Sequence, residues 1–514
     1  MHLWGSCGTI NNGKHVGNVG EKMDIIWNGI VESITWIWNN LFIVNILLAI
    51  VMVFFQRRDP QTLWTWLLVL FFLPIVGFIL YLFIGQDMHK SKMFRVKEVE
   101  DAFNQSIRGN EKELISEQFM PTSKQLDEYR DMVYYNLNVA GAVYTADNEV
   151  EIYTDGHEKF NALLCALKKA EKYIHIQYYI FRDDDLFWRI IEVLKEKVAE
   201  GVEVRILYDV LGSLEIKKRH WREIQAAGIK TAEFFPAALR KAHLRLNYRN
   251  HRKIVVIDGT TGFVGGFNVG NEYLGLSNKF GYWRDTHFKV QGSAAIGLQV
   301  RFALDWNHAS GENLFLNADY FIQDSLEKSS RRKVGIQMIT SGPDSKWPVI
   351  RNNYIKMIHK AKDHIYIQTP YFIPDEALAE ALKMAASSGV TVRIMIPCKP
   401  DHPFVYWATY SYIGDMLDAG VECYTYMNGF LHAKGICVDG IVASYGTANF
   451  DIRSFKLNFE VNAVIYDEIL TEQLEQIFLE DMRQCRKVTR EVYQNRSLVI
   501  RVKEQFSRLL SPLL

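Results

Sequence analysis

The chain reads "NYRNHRKIVVIDG" at 247–259 and continues through "TTGFVGGFN" to residue 268. His251, Lys253 and Asp258 bracket a short run whose β-branched residues favour a strand, with a glycine-rich turn behind it. One such spacing of three common residues carries little information. It returns at 431–440 as "LHAKGICVDG", with His432, Lys434 and Asp439 at the same offsets and "SYGTAN" following. The duplication makes chance a poor explanation and divides the chain into related halves.

The surroundings repeat as well. "AEKYIHIQYYIFRDD" (170–184) has its counterpart in "AKDHIYIQTPYFIPDE" (361–376), "GVEVRILYD" (201–209) in "GVTVRIMIP" (389–397), and "AGIKTAEFF" (227–235) in "AGVECYTYM" (419–427). Strands alternating with helical stretches predict βαβ units, hence α/β architecture with mixed, mostly parallel sheets flanked by helices. Two lobes follow, 141–328 and 329–514.

Upstream the character changes. Residues 34–55 and 63–84 are two 22-residue stretches without a charged side chain, joined by "QRRDPQT". Each is long enough for a bilayer core, and a cleaved secretory signal would show one shorter stretch. A transmembrane helical hairpin over 34–84 is the expectation, with Trp36, Trp38, Trp64, Trp66 and Tyr81 at headgroup level. Lys14, Lys22, Lys90, Lys92, Arg95 and Lys97 flank it on one side against Arg57 and Arg58 in its loop, which favours a cytoplasmic main body. Residues 1–33 are expected to be flexible, with Met23 an alternative start, and 85–140 reads as a helical connector.

Across its 514 residues the chain has 59 basic and 59 acidic residues, so no net field draws nucleic acid, which counts against a nuclease. The six cysteines form no CxxC pair and read as reduced thiols. No cluster at metal-ligand spacing and no cofactor motif is visible, so neither metal nor cofactor is expected.

Taken together, the repeated HxKxxxxD strands with trailing Gly265, Gly266 and Asn268, and Gly446, Thr447 and Asn449, resemble the phospholipase D superfamily. The hairpin, the first motif and the ending "NFDIRSFKLNFE" (449–460) are similar to the bacterial cardiolipin synthase family. The resemblance covers residues from about 40 to the C-terminus. It implies a multi-pass enzyme of the bacterial plasma membrane that joins two phosphatidylglycerol molecules into cardiolipin and releases glycerol, with membrane lipid as its partner. A phospholipase D-type hydrolase or a phosphatidylserine-synthase-like transferase would use the same histidines with another acceptor. A non-catalytic lipid-binding scaffold is a further alternative, against which both complete motifs argue.

A phosphodiester's anionic oxygens repel an anionic nucleophile, whereas a neutral imidazole attacks without that repulsion and forms a covalent intermediate. A second imidazole then protonates the departing alcohol and deprotonates the incoming one. His251 and His432 supply the pair, and the resemblance favours His251 as nucleophile. Lys253 and Lys434, two residues on, share their histidines' strand face and would offset phosphoryl charge. Asn268 and Asn449 would donate hydrogen bonds to the same oxygens. Asp258 and Asp439 complete the motif by which the family is recognised, but lie seven residues on, an odd offset, so a turn-anchoring role is expected of them. The family places a carboxylate downstream of each motif to orient a histidine, and Asp285 in "YWRDTH" and Glu460 in "NFEVN" match.

Arg245, Arg249 and Arg252 read either as a solvated loop or as a phosphate clamp. Tyr178, Tyr179, Tyr371 and Phe372 read as core first and passage lining second, and His402 as a loop residue. At the C-terminus Val499, Val502, Phe506, Leu509, Leu510 and Leu513 fall on one helical face. That face is expected to dock onto the second lobe, with a place in the membrane interface as the rival.

Overall fold

The sequence repeat is built as a repeat of strands. The computed structural model describes residues 32, 35–36, 39–55, 60–81, 119–234, 248–321 and 332–511. The first half supplies β1 (Tyr144–Tyr153), β2 (Tyr173–Tyr178), β3 (Glu203–Asp209), β4 (Lys230–Phe234), β5 (Arg249–Asn250), β6 (Ile254–Ile257), β7 (Thr261–Gly265), β8 (Trp283–Arg284) and β9 (His287–Gln291). The second supplies β10 (Val334–Ser341), β11 (His364–Gln368), β12 (Phe372–Ile373), β13 (Thr391–Pro397), β14 (Glu422–Tyr426), β15 (Phe430–Leu431), β16 (Gly435–Val438), β17 (Val442–Gly446), β18 (Phe450–Asp451), β19 (Asn458–Tyr466) and β20 (Cys485–Val488).

Most of these form one 16-stranded sheet in the order β20-β14-β13-β11-β16-β17-β19-β10-β1-β9-β7-β6-β2-β3-β4, with β5 added on β19. The order is a near-palindrome about the antiparallel β1–β10 pair, so the halves meet edge to edge at their first strands. Mixed α/β architecture is present, but the expectation of mostly parallel strands is corrected. Parallel pairing within this order is confined to β2-β3-β4 and β11-β13-β14, where helices make the crossovers. The HxK strands run antiparallel, because Asp258 (φ 51) with Gly259 (φ 69), and Asp439 (φ 54) with Gly440 (φ 68), turn the chain straight back into β7 and β17.

Residues 119–140 are no loose connector. Phe119, Leu126, Tyr129, Met132, Val133 and Leu137 are buried in the core that also holds Ile339, Tyr354 and Ile367. Asn136 donates to Gln337 (3.0 Å) and to Asn353 (2.9 Å) within it. Residues 85–118 lie outside the described residues, as does nearly all of the expected flexible segment 1–33.

The described residues up to Tyr81 form a compact unit of their own. Its helices are Leu41–Phe55, Pro60–Phe72 and Pro74–Leu80, and among the described residues none is long and apolar enough to cross a membrane. The second expected stretch is interrupted because Pro74 has no N–H to give to the Leu70 carbonyl four residues back. Asn45, 6% exposed, answers the gap by donating to the carbonyls of Leu70 (3.4 Å) and Pro74 (3.1 Å), tying the helices together. Trp36 and Trp64 face outward, but Trp66 and Tyr81 pack edge to face inside the unit, centroids 5.5 Å apart, rather than sitting as outward anchors. Trp38 and the basic residues flanking the hairpin lie outside the described residues.

The helix Leu498–Leu509 packs on the helix Pro403–Asp418. It does so with the opposite face from the one expected: Glu504 and Ser507 are buried, while Val499, Val502, Phe506 and Leu509 are exposed. Arg508 pairs with Asp415 (2.6 Å) across that packing, and Arg496, just before the helix, pairs with Glu504 on it (2.8 Å). Leu513 lies outside the described residues.

Candidate active site

Each HxK motif is aimed by a two-residue strand that lies along the other half. β5 runs parallel to the start of β19, Arg249 opposite Asn458 and Asn250 opposite Phe459, and the His251 N–H donates to the Phe459 carbonyl at 3.0 Å. β15 runs parallel to β8, Phe430 opposite Trp283 and Leu431 opposite Arg284, and the His432 N–H donates to the Arg284 carbonyl at 2.7 Å. In each case the residue after the pairing partner is a carboxylate.

That register crosses the pairs. His251 Nδ1 lies 3.0 Å from both carboxylate oxygens of Glu460, and His432 Nδ1 lies 2.6 Å from Asp285 Oδ2. A carboxylate at Nδ1 selects the tautomer protonated there and leaves Nε2 with its lone pair, the form a nucleophile needs. Burial pushes both imidazoles down to about 4. Glu460 opposes this at His251, whereas at His432 Lys434 adds to it and Asp285 opposes. Burial alone would raise the carboxyls, yet His251 and Lys253 hold Glu460 low, and Lys434 and His432 hold Asp285 low. Both pairs are therefore neutral imidazole against carboxylate at neutral pH. Gly266 has a steric reason here, since a Cβ at that position would fall 2.0 Å from Asp285 Oδ1.

Lys253 and Lys434 are buried beside the histidines. Lys253 Nζ donates to its own histidine's carbonyl at 2.6 Å, Lys434 does the same to His432, and Lys434 Nζ lies 4.0 Å from Asp285. Burial lowers both ammonium groups, Lys434 to about 8 with Asp285 opposing. Asn268 accepts from the Ile180 N–H (3.2 Å) and donates to the Tyr273 hydroxyl (3.2 Å), while Asn449 donates to Asp451 (3.1 Å). Each amide nitrogen carries two hydrogens, so each retains a second donor beside the bond it makes.

The histidines and both asparagines line one cleft of about 590 Å³. Tyr179 stands against the His251 ring, centroids 5.1 Å apart, and Trp283 against His432 at 5.0 Å. Asp258 and Asp439 are not there. Asp258 accepts from the backbone N–H groups of Glu171, Lys172 and Tyr173, each at 2.8 Å. Asp439 does the same for Lys362 (2.7 Å), Asp363 (3.0 Å) and His364 (2.7 Å). Both motif aspartates thus bind the start of the neighbouring strand rather than face the histidines.

Of the three arginines, Arg249 lines the cleft, Arg252 is buried against Asp305 (2.8 Å), and Arg245 lies outside the described residues. Tyr179 and Tyr371 line the cleft, Tyr178 is core with its hydroxyl accepting from buried Lys159 at 2.8 Å, and Phe372 is core. His402 stands at the cleft's exposed edge. Trp283, Arg453 and Asp451 line it too, without having been singled out by residue, although Asp451 and Arg453 lie within the quoted ending 449–460. Position is the only signal that could have found them, Trp283 two residues before Asp285, and Asp451 and Arg453 just past Asn449. The five described cysteines are free.

Comparison with known proteins adds the following. The family model described as "Cardiolipin synthase, PLD-like domain" matches residues 163–280 and 354–482, and "Phospholipase D-nuclease N-terminal" matches 43–86. The chain is 51% identical over 474 residues to the major cardiolipin synthase of Bacillus subtilis (strain 168), covering 92% of this chain and 98% of that one. It is 50% identical over 474 residues to the cardiolipin synthase of Oceanobacillus iheyensis, with the same coverage. Among solved structures, a phosphatidylserine synthase of Haemophilus influenzae aligns with a TM-score of 0.57 at 15% identity, over 76% of this chain and 100% of that chain, a likeness of fold.

Proposed function

We propose a mechanism for a chain that belongs to the cardiolipin synthase family of phospholipase D-like proteins: it condenses two phosphatidylglycerol molecules into cardiolipin and glycerol through a phosphatidyl-histidine intermediate. The observation that carries this reading is the crossed arrangement, two imidazoles each held at Nδ1 by a carboxylate of the other half and both lining one cleft.

His251 Nε2 attacks the phosphorus, the phosphorus–oxygen bond to the headgroup glycerol breaks, and His432 gives its proton to that oxygen. The glycerol hydroxyl of a second phosphatidylglycerol then attacks the same phosphorus, returns a proton to His432, and displaces His251. His432 is neutral in the empty site, and the arriving phosphodiester anion favours its protonated form. The same anion favours the ammonium forms that burial disfavours at Lys253 and Lys434. Asn268 and Asn449 add hydrogen bonds to the non-bridging oxygens.

We place the chemistry at the bacterial plasma membrane with the two lobes, 141–328 and 329–514, on the cytoplasmic side. The support is the pair of uncharged stretches within 34–84, whose Phe42, Leu47, Phe54, Trp64, Phe71 and Phe72 all point outward, an apolar surface far beyond what water tolerates.

The test is to mix the purified full chain with labelled phosphatidylglycerol, stop turnover within milliseconds, and map the adduct by mass spectrometry. A phosphatidyl group on His251 is expected. An adduct on any residue other than the two histidines, or none during turnover, would contradict the mechanism.

A further inference from the structure

The helix Leu498–Leu509 is amphipathic and inside out relative to the body that carries it. Its fully buried residues are polar, Glu504, 1% exposed and held by Arg496, and Ser507, while Ile500, Leu510 and Arg508, which reaches Asp415 and lies 4.6 Å over the Tyr412 ring, are half-buried. Its apolar residues face away, with Leu498, Val499, Val502, Phe506 and Leu509 between 56% and 76% exposed. An unanchored helix of this composition would turn the stripe inward to remove it from water. Packed on Pro403–Asp418 with Glu504 and Ser507 inward, the helix instead leaves the stripe outward.

Three features say what covers it. Arg501 and Lys503 are exposed on the same helix, and with Glu504 neutralised by Arg496 the outer surface is apolar with basic flanks, the pattern that suits an anionic lipid surface. The supporting helix Pro403–Asp418 starts at the catalytic cleft, which His402 and Val405 line, and its Phe404 is 53% exposed there. The helix that carries the outward stripe therefore packs on the helix whose first turn forms the cleft's edge. Pairing of two such helices from two copies would bring Arg501 and Lys503 of both together with no carboxylate on either helix but Glu504, which Arg496 already holds, and this disfavours a second copy of this chain as the occupant.

We propose that the helix Leu498–Leu509 lies in the membrane interface with its apolar stripe among the acyl chains of anionic phospholipids, holding the edge of the cleft against the lipid. Its purpose rests on the proposed use of membrane phospholipid as substrate, but its test does not depend on turnover.

The full chain is reconstituted in phosphatidylglycerol vesicles that contain a trace of phospholipid with a photoactivatable diazirine near the acyl carbonyl, and cross-linked peptides are mapped by mass spectrometry. Lipid adducts are expected on 498–509. A Val502→Asp, Phe506→Asp variant should lose those adducts about tenfold, a change of ~1.4 kcal/mol. Its turnover of long-chain phosphatidylglycerol in vesicles should fall by a similar factor, with turnover of a short-chain, monomerically dissolved phosphatidylglycerol unchanged, which shows the variant is folded. No lipid adducts on this helix, cross-links from it only to a second copy of the chain, or an equal loss of both turnovers would overturn the proposal. Failure of the wild-type chain to make cardiolipin would count against the function while leaving the adduct map to decide the helix.

Discussion

His251 and Glu460 stand 209 positions apart in the chain and 3.0 Å apart in the site, and the mirror contact, His432 to Asp285, closes at 2.6 Å. Each imidazole is therefore held in its working tautomer by the opposite half of the protein, so neither half contains a complete histidine–carboxylate pair.

From this follows the behaviour of Glu460→Gln and Asp285→Asn. Each amide preserves shape but no longer stabilises an imidazolium or enforces the Nδ1–H tautomer, and kcat/KM for cardiolipin formation should fall by about a hundredfold or more. Steady-state kinetics of the two variants checks it. A loss under about tenfold in either would show that the carboxylate does not serve its histidine chemically.

His251→Ala and His432→Ala should each abolish turnover, because covalent transfer needs a nucleophile and an acid at once. Either variant retaining more than about a tenth of wild-type rate, a loss below ~1.4 kcal/mol, would refute the two-histidine assignment.

The motif aspartates should behave differently. Asp258→Ala removes three hydrogen bonds to a carboxylate and leaves alanine at φ 51, so stability should drop by about 3 kcal/mol. Thermal denaturation should register the loss, while kcat at low temperature stays within about twofold of wild type. A stable variant with no activity would return Asp258 to the chemistry.

Substrate binding should take up a proton. His432 titrates near 4 in the empty site, and an adjacent phosphodiester anion raises that value, so the complex binds more protons than the free protein between the two. Affinity for a non-hydrolysable phosphonate analogue should accordingly weaken as pH rises from about 4 toward the raised value. Calorimetry in buffers of different ionisation enthalpy should show uptake approaching about one proton. Release of protons, or no exchange, would contradict the sign.

Much of this site was legible in the chain. The repeated HxK spacing marked His251, Lys253, His432 and Lys434, and the family pattern marked Asp285 and Glu460. The crossing of the pairs was not legible, because it is made by β5 and β15, strands two residues long with no periodicity to read. The predominance of antiparallel pairing escaped for a related reason: βαβ spacing describes β2-β3-β4 and β11-β13-β14, while Asp258 and Asp439 reverse the chain within single turns. For the last helix, periodicity identified the apolar stripe but not which side the body occupies. The inward side is the one with Glu504 and Ser507, where Arg508 meets Asp415, 93 positions away.

The central claim is that the phosphatidyl group passes to a lipid hydroxyl and not to water. A bound headgroup alcohol gains effective concentration and orientation over water, an advantage of up to roughly 7 kcal/mol in well-aligned cases. The most direct measurement is a product balance for the purified full chain in phosphatidylglycerol vesicles, counting cardiolipin, free glycerol and phosphatidic acid over a range of lipid densities. The account predicts cardiolipin and glycerol in equal amounts with little phosphatidic acid. Phosphatidic acid as the dominant product at every density would make the protein a hydrolase and contradict it.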